Sequence, residues 1–253
     1  MSKQSARERM HQRRGQQQRR TQITLIIVVA VLALGVVGLL IAFNQPRTPV
    51  TFSSGNFSGI PESVDQSGTL GMVLGPADAP VSLVEYADFS CPHCHDLEPT
   101  IHQLIDTYVK PGKLKITYKT VTFVGGANSD SAARGMICAA AQGKAWEMHD
   151  AIWTLYDNQT YQGYTEANMN QLATNLKLDQ TKFSSCYNSA TTTDAIQAVQ
   201  DELPNIGVTA TPTLFLNGTR LDFSSYDDIL NAIQQKAASA APAAGATAAS
   251  PTP

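Results

Sequence analysis

Residues 75–99 read GPADAPVSLVEYADFSCPHCHDLEP, and this stretch decides the fold. After Pro80, the run Val81-Ser-Leu-Val-Glu-Tyr86 is short and apolar, as expected of a buried strand. A brief loop leads to Cys91-Pro92-His93-Cys94. From Pro92 to about Val109, apolar residues recur at Leu97, Ile101, Leu104, Ile105 and Tyr108, the spacing of one helix face. The two cysteines therefore stand on the first turn of a helix, just after a strand. At positions i and i+3 they are close enough to form a disulfide. The helix N-terminus, with its unpaired N–H groups, stabilises a thiolate on the first of them. Pro92 suits the first helical position, where a missing N–H costs nothing. His93 adds a positive charge or a hydrogen bond to the thiolate. Stabilising the thiolate favours the reduced form and makes the disulfide a stronger oxidant. Cys91 is thus the candidate nucleophile and Cys94 the resolving thiol.

Outward from this centre the pattern alternates. Pro111-Gly112 ends the helix, and Leu114 to Val121 alternates as a second strand. Residues 128–203 read as helical throughout, with Trp146, Ile152, Trp153, Leu172 and Leu176 as core. Thr213 to Leu216, then Asn217-Gly218 and a return strand through Leu221, predict a hairpin with a two-residue turn. A helix from about Ser225 to Lys236 closes the domain. The expected order is β-α-β, a helical block, then β-β-α. Residues 44–70 are rich in Ser, Gly and Pro and read as a flexible tether. Residues 237–253 contain only Ala, Pro, Ser, Thr and Gly and read as a disordered tail.

The chain has 253 residues and a net charge of −3, which hides an asymmetry. Residues 1–22 carry seven basic side chains against one acid, so the remainder sums to −9. An acidic main domain repels phosphate backbones and excludes nucleic acid as a partner. A hydrophobic content of 43% excludes a disordered chain. Ile23 to Phe43 lacks charge and as a helix spans about 30 Å, a hydrocarbon core. The basic flank places the N-terminus in the cytoplasm and everything after Phe43 outside. This favours an uncleaved single-pass cell-membrane anchor over a cleaved signal peptide, whose apolar region is shorter. All four cysteines lie beyond the anchor, where thiols can stay oxidised. Cys138 and Cys186 have no C-x-x-C neighbour and no basic cluster, and are expected to form a structural disulfide within the helical block. A second redox pair is the alternative.

The segment quoted above, with its Cys-Pro-His-Cys centre, resembles the thioredoxin-like DsbA family of thiol:disulfide interchange proteins. The resemblance runs from about Gly71 to Lys236. It implies an α/β thioredoxin-like core, a central sheet flanked by helices, with an all-helical subdomain inserted over about 127–203. Glu85 and Glu98 match acidic positions that in the family lie beneath the active site, which implies a proton-relay role for Cys94. Lys119 is their suggested cationic partner. Val208-Thr-Ala-Thr-Pro212-Thr matches the family's cis-proline loop. Pro212 is then the cis residue, and Thr211 offers backbone groups to an extended substrate. The resemblance further implies an extracytoplasmic oxidase that donates the Cys91–Cys94 disulfide to exported proteins with free thiols. A quinone-linked membrane partner would reoxidise it, and no cofactor is required.

Other readings use the same residues. A reductase, for example in cytochrome maturation, needs only a different potential at Cys91. Cys91-x-x-Cys94-His95 also matches the c-type haem attachment motif. Cys91, Cys94, His95 and His102 offer metal-ligand chemistry, although exposed polar positions on the helix explain the two histidines without a metal. His149, at helical spacing between Trp146 and Trp153, reads as a hydrogen-bonded core or boundary residue. A binding module with purely structural cysteines is the reading from a different class.

Overall fold

The computed structural model describes residues 25, 27–36, 55 and 57–240. The chain divides into two units, residues 1–50 and 51–253. In the first, residues 27–36 are helical, and large apolar side chains such as Leu32 and Leu34 are exposed. Among the described residues no helix is long and apolar enough to cross a membrane. Much of the expected span from Ile23 to Phe43 lies outside them, as do the basic segment 1–22 and the tail from residue 241.

The second unit is built on one six-stranded sheet. Its strands are β1 (Glu62–Asp65), β2 (Gly71–Leu74), β3 (Val81–Ala87), β4 (Leu114–Thr120), β5 (Thr213–Leu216) and β6 (Thr219–Leu221). Their order is β1-β2-β4-β3-β5-β6. Only β3 and β4 are parallel, joined by the helix α1 (Pro92–Leu104), which continues as a π-helical turn over Ile105–Val109. Central β3 carries the apolar run of the sequence: Val81, Leu83 and Ala87 are fully buried. Burial of a side chain such as Val or Leu stabilises the fold by roughly 1.5–3 kcal/mol. On the other face, Tyr86 packs with Val121, Val199, Leu203 and Val208 and meets the Phe215 ring edge-on at 5.7 Å. Asn217 and Gly218 have φ of 50° and 78°, as a two-residue hairpin turn demands.

The helical block comprises α2 (Ala127–Ala140), α3 (Ala145–Gln159), α4 (Glu166–Asn175), α5 (Gln180–Tyr187) and α6 (Ala190–Glu202). Thr165, Asp179 and Ser189 cap the last three, each accepting from the backbone N–H three residues on. Cys138 on α2 is bonded to Cys186 on α5, with Cα atoms 5.7 Å apart. Trp146, Ile152, Trp153 and Leu172 lie in the core, but Leu176 is only half-buried and Leu178 takes its place. The closing helix α7 runs from Tyr226 to Ala240.

Two boundaries differ from the sequence reading. The tether expected over 44–70 ends earlier, because Phe57 is buried and β1 and β2 add an antiparallel edge to β4. These strands have four residues each, too short to show a period. The first residues of the tail expected from 237 are helical instead, because α7 runs on to Ala240 and Ala237 packs its small side chain on the buried face of that helix.

Candidate active site

Cys91 is the N-cap of α1, with extended backbone (φ −84°, ψ 120°), and Pro92 follows at the first helical position. The loop is pinned from both sides: the Cys91 N–H donates to the Asp88 carbonyl at 2.9 Å, and the His95 N–H to the Cys91 carbonyl at 3.1 Å. Both cysteines are free thiols. Cys94 belongs to the buried stripe of α1 together with Leu97, Glu98, Ile101 and Leu104. Cys91 lies at the edge of that burial, 5% exposed against 0% for Cys94. Its sulfur donates to the Thr211 carbonyl at 3.3 Å, and the Thr211–Pro212 peptide bond is cis. The sheet thus brings the two sequence landmarks, 120 residues apart, into contact.

The thiols are driven in opposite directions. A hydrogen bond from the Cys94 thiol lowers the Cys91 pKa to about 5, against burial and with help from the Thr211 side chain and the backbone N–H groups of Cys94 and His93. Burial, Cys91 and the nearby Glu85 carboxylate push Cys94 well up. His93 therefore contributes through its backbone; its side chain is exposed. Asp88 organises the surrounding loops. Its buried carboxylate accepts from the Ser90 and Val124 N–H groups, both at 2.8 Å, and from the Ser129 hydroxyl.

Beneath the cysteines lies a buried polar cluster. Glu85 is fully buried in the middle of β3, opposite Tyr118 on β4 and Leu214 on β5. Among the described residues neither of its oxygens has a hydrogen-bond partner. Burial and the neighbouring Glu98 raise its pKa to about 8. Glu98 Oε1 lies 3.5 Å from Nε2 of the buried His149, whose Nδ1 lies 3.1 Å from Asp150 Oδ1. Burial alone would lower the His149 pKa; Glu98 and Asp150 outweigh it and hold it at about 10. Lys119 does not join this cluster. Its Nζ bonds Glu202 at 2.9 Å and Thr69 at 2.6 Å. The cause is strand alternation: Lys119 pairs with Tyr86 and shares its face, whereas Glu85 pairs with Tyr118 on the other. Histidine 149 takes the cationic place expected of the lysine.

The ligand-type atoms of Cys91, Cys94, His95 and His102 do not form a metal-sized group among the described residues. His95 instead stacks on Tyr156 at 4.7 Å and bonds Asp157 at 2.8 Å. Glu98, His149 and Asp150 do offer atoms within 4.8 Å of one another. Both ring nitrogens of His149 already have protein neighbours, however: Asp150 Oδ1 lies 3.1 Å from Nδ1, and Trp153 Nε1 and Glu98 Oε1 lie 3.1 and 3.5 Å from Nε2. His149 and Asp150 are hydrogen-bonded to each other, and Glu98 stands at ion-pair distance from the ring. Reading the sequence placed His149 in the core but gave it no part in the site, since only the fold brings α3 against α1.

Residues 68–235 match the family model described as "Thioredoxin". Over 168 residues the chain is 24% identical to disulfide bond formation protein D of Bacillus subtilis, covering 65% of this chain and 76% of that protein. It is 32% identical over 149 residues to a stretch of the Na(+)/H(+) antiporter NhaA 3 of Salinispora tropica, covering 58% of this chain but only 22% of the antiporter. Among solved structures, MdbA, a thiol-disulfide oxidoreductase from Corynebacterium diphtheriae, superposes with a TM-score of 0.61 at 18% identity. That superposition covers 76% of this chain and all of MdbA. Family model and relatives agree: the chain belongs to the thioredoxin family, and its matched domain is that of a DsbA-like protein disulfide oxidoreductase.

Proposed function

We propose that the chain acts as an oxidase, passing the Cys91–Cys94 disulfide to exported proteins outside the cytoplasm. The observation that carries this is the placement of Cys91 at the N-cap of α1, its sulfur 3.3 Å from the Thr211 carbonyl beside cis Pro212, a setting that draws its pKa down to about 5. A stabilised thiolate favours the reduced form, so the disulfide gives itself up readily. A substrate thiolate attacks Cys91 Sγ, the Cys91–Cys94 bond breaks and a mixed disulfide forms. Cys94 leaves as a thiolate and takes a proton from Glu85, which Glu98 supports. A second substrate thiolate then attacks its own partner sulfur, and Cys91 departs as the stabilised thiolate. Thr211, next to cis Pro212, lies beside Cys91, where an extended substrate backbone would pair. A quinone-linked membrane oxidase would restore the disulfide.

The apolar, exposed helix at 27–36 and the basic run before it support a membrane anchor with the domain outside. The bond between Cys138 and Cys186, which we read as structural, suits an oxidising compartment. The test is the reduction potential of Cys91–Cys94 in glutathione buffers. We expect a value at or above about −180 mV, the range of disulfide donors. A value near about −270 mV would make the same fold a reductase and overturn the proposal.

A further inference from the structure

Glu85 and Glu98 place a proton donor beneath the departing Cys94 thiolate, yet the oxygens of both carboxylates are shut off from solvent and have no hydrogen-bond partner among the described residues. Each exchange at Cys94 moves a proton, and a buried carboxylate that has given one up must regain it from bulk water. We propose that Glu98, His149, Asp150 and His102 form a proton path between the carboxylates beneath Cys94 and an open cleft on the α1–α3 side. The proposal rests on the oxidoreductase reading above and extends it to residues that reading leaves unused.

From Glu98 outward the side chains follow one another at ion-pair or hydrogen-bond distance. Glu98 Oε1 lies 3.5 Å from His149 Nε2, His149 Nδ1 lies 3.1 Å from Asp150 Oδ1, and the same oxygen lies 3.4 Å from His102 Nε2. Asp150 is fixed for bridging, because its Oδ2 accepts the Gly55 N–H at 2.7 Å and leaves Oδ1 to the two rings. Burial is deepest at His149 and falls outward from it: by side chain Glu98 is 9% exposed, His149 1%, Asp150 6% and His102 44%. His102 opens into a cleft of about 570 Å³ that is also lined by His95, Glu98, Asp150 and Asp157.

The His149 ring has a partner in each protonation state. Neutral, with its proton on Nδ1, it donates to Asp150 while Nε2 accepts the Trp153 N–H. Charged, it carries a second proton on Nε2, facing Glu98. A group that passes a proton needs both arrangements within reach. Laterally the ring is walled by Phe89, Tyr118, Trp146 and Trp153, whose centroids lie 4.8–6.3 Å away. The titratable and charged groups facing this cluster are Cys94, Glu85, Tyr118 and, across the cleft, His95 and Asp157.

In the forward half-reaction the substrate thiolate forms its bond to Cys91 as the Cys91–Cys94 bond breaks. The electron pair leaves on Cys94, which takes the Glu85 proton. Glu85 recovers a proton through Glu98, His149 and Asp150 from water at His102. The protein disulfide is reduced, the substrate thiols are oxidised, and no further reactant enters. These side chains act through Glu98 and are positioning residues.

The test uses the oxidised full-length protein, a dithiol peptide and stopped-flow fluorescence across pH in H2O and D2O. In His102→Asn we expect exchange at neutral pH to slow by about ten-fold, less than the ~10²-fold or more of a group that transfers the proton directly, because His102 acts through other side chains. The solvent isotope effect should rise, and free imidazole in the cleft should restore the rate. Alkylation of reduced Cys91, which moves no proton at Cys94, should stay unchanged. His149→Gln should show the same slowing without imidazole rescue, since its site is closed. If that variant does not fold, His102→Asn decides alone. Wild-type exchange in His102→Asn, or slowing with neither isotope effect nor rescue, overturns the path while leaving the oxidoreductase reading intact. Absence of Cys91-dependent exchange in the wild type overturns that reading, and the path with it.

Discussion

Cys91 and Cys94 are three residues apart and differ in chemistry because one sits at the helix N-cap and the other on its buried face. A thiol whose folded pKa lies below its unfolded value stabilises the fold above the unfolded value, near 9, and loses that stabilisation as pH falls through the folded value, near 5. Only reduced protein has this group. Cys94, pushed up from 9, stays protonated from pH 5 to about pH 8 in both folded and unfolded chains, and above that the ionising unfolded thiol opposes the gain. Glu85, raised by its burial, opposes stability as pH rises above 4.5, but it does so in both redox forms. The stability of the reduced relative to the oxidised form should therefore increase from pH 5 to about pH 8 and level off toward pH 9. Urea melts of the two forms over that range check it, and a flat difference would show that the Cys91 thiolate is not stabilised by the fold. At this scale the sequence was most legible where chemistry is local, as in Cys91-Pro92-His93-Cys94. It was least legible for His149, whose role depends on α3 lying against α1.

The elements divide along similar lines. Strands β3 and β4, helix α1 and the β5–β6 hairpin announce themselves through period, Pro and Gly. Strands β1 and β2 do not, because four residues on a sheet edge carry no pattern that outweighs their Ser- and Gly-rich surroundings. The assignment of Lys119 failed for a related reason: a one-residue offset along β4 sends a side chain to the opposite face. The bond between α2 and α5 closes a loop with a sequence separation of 48. Replacing Cys138 and Cys186 together by Ala should lower stability by ~4 kcal/mol on chain-entropy grounds. The Cys91–Cys94 potential should stay unchanged, because that pair belongs to α1 and the Thr211 loop. Equilibrium unfolding and redox titration of one double variant report both quantities. A shifted potential would mean that the second pair communicates with the first.

For the whole molecule, an acidic domain follows a basic, then apolar, N-terminal segment. The full-length protein should sediment with membranes and resist alkaline carbonate. A membrane-impermeant thiol reagent should label reduced Cys91 in intact spheroplasts. Recovery in the soluble fraction, or labelling only after lysis, would sink the proposed topology. The bond between Cys138 and Cys186 also bears on how each copy matures. Four thiols can pair in three ways. The native Cys138–Cys186 bond leaves Cys91 and Cys94 to each other, whereas either crossed pairing consumes the donor pair within its own scaffold. Cys91 and Cys94 leave the ribosome first, Cys138 follows and Cys186 comes last. Until Cys186 emerges, Cys138 has only the reactive pair as a neighbour in its own chain. A carrier of disulfides is thus itself a client of correct disulfide formation, with its competence decided by the order in which its sulfurs appear.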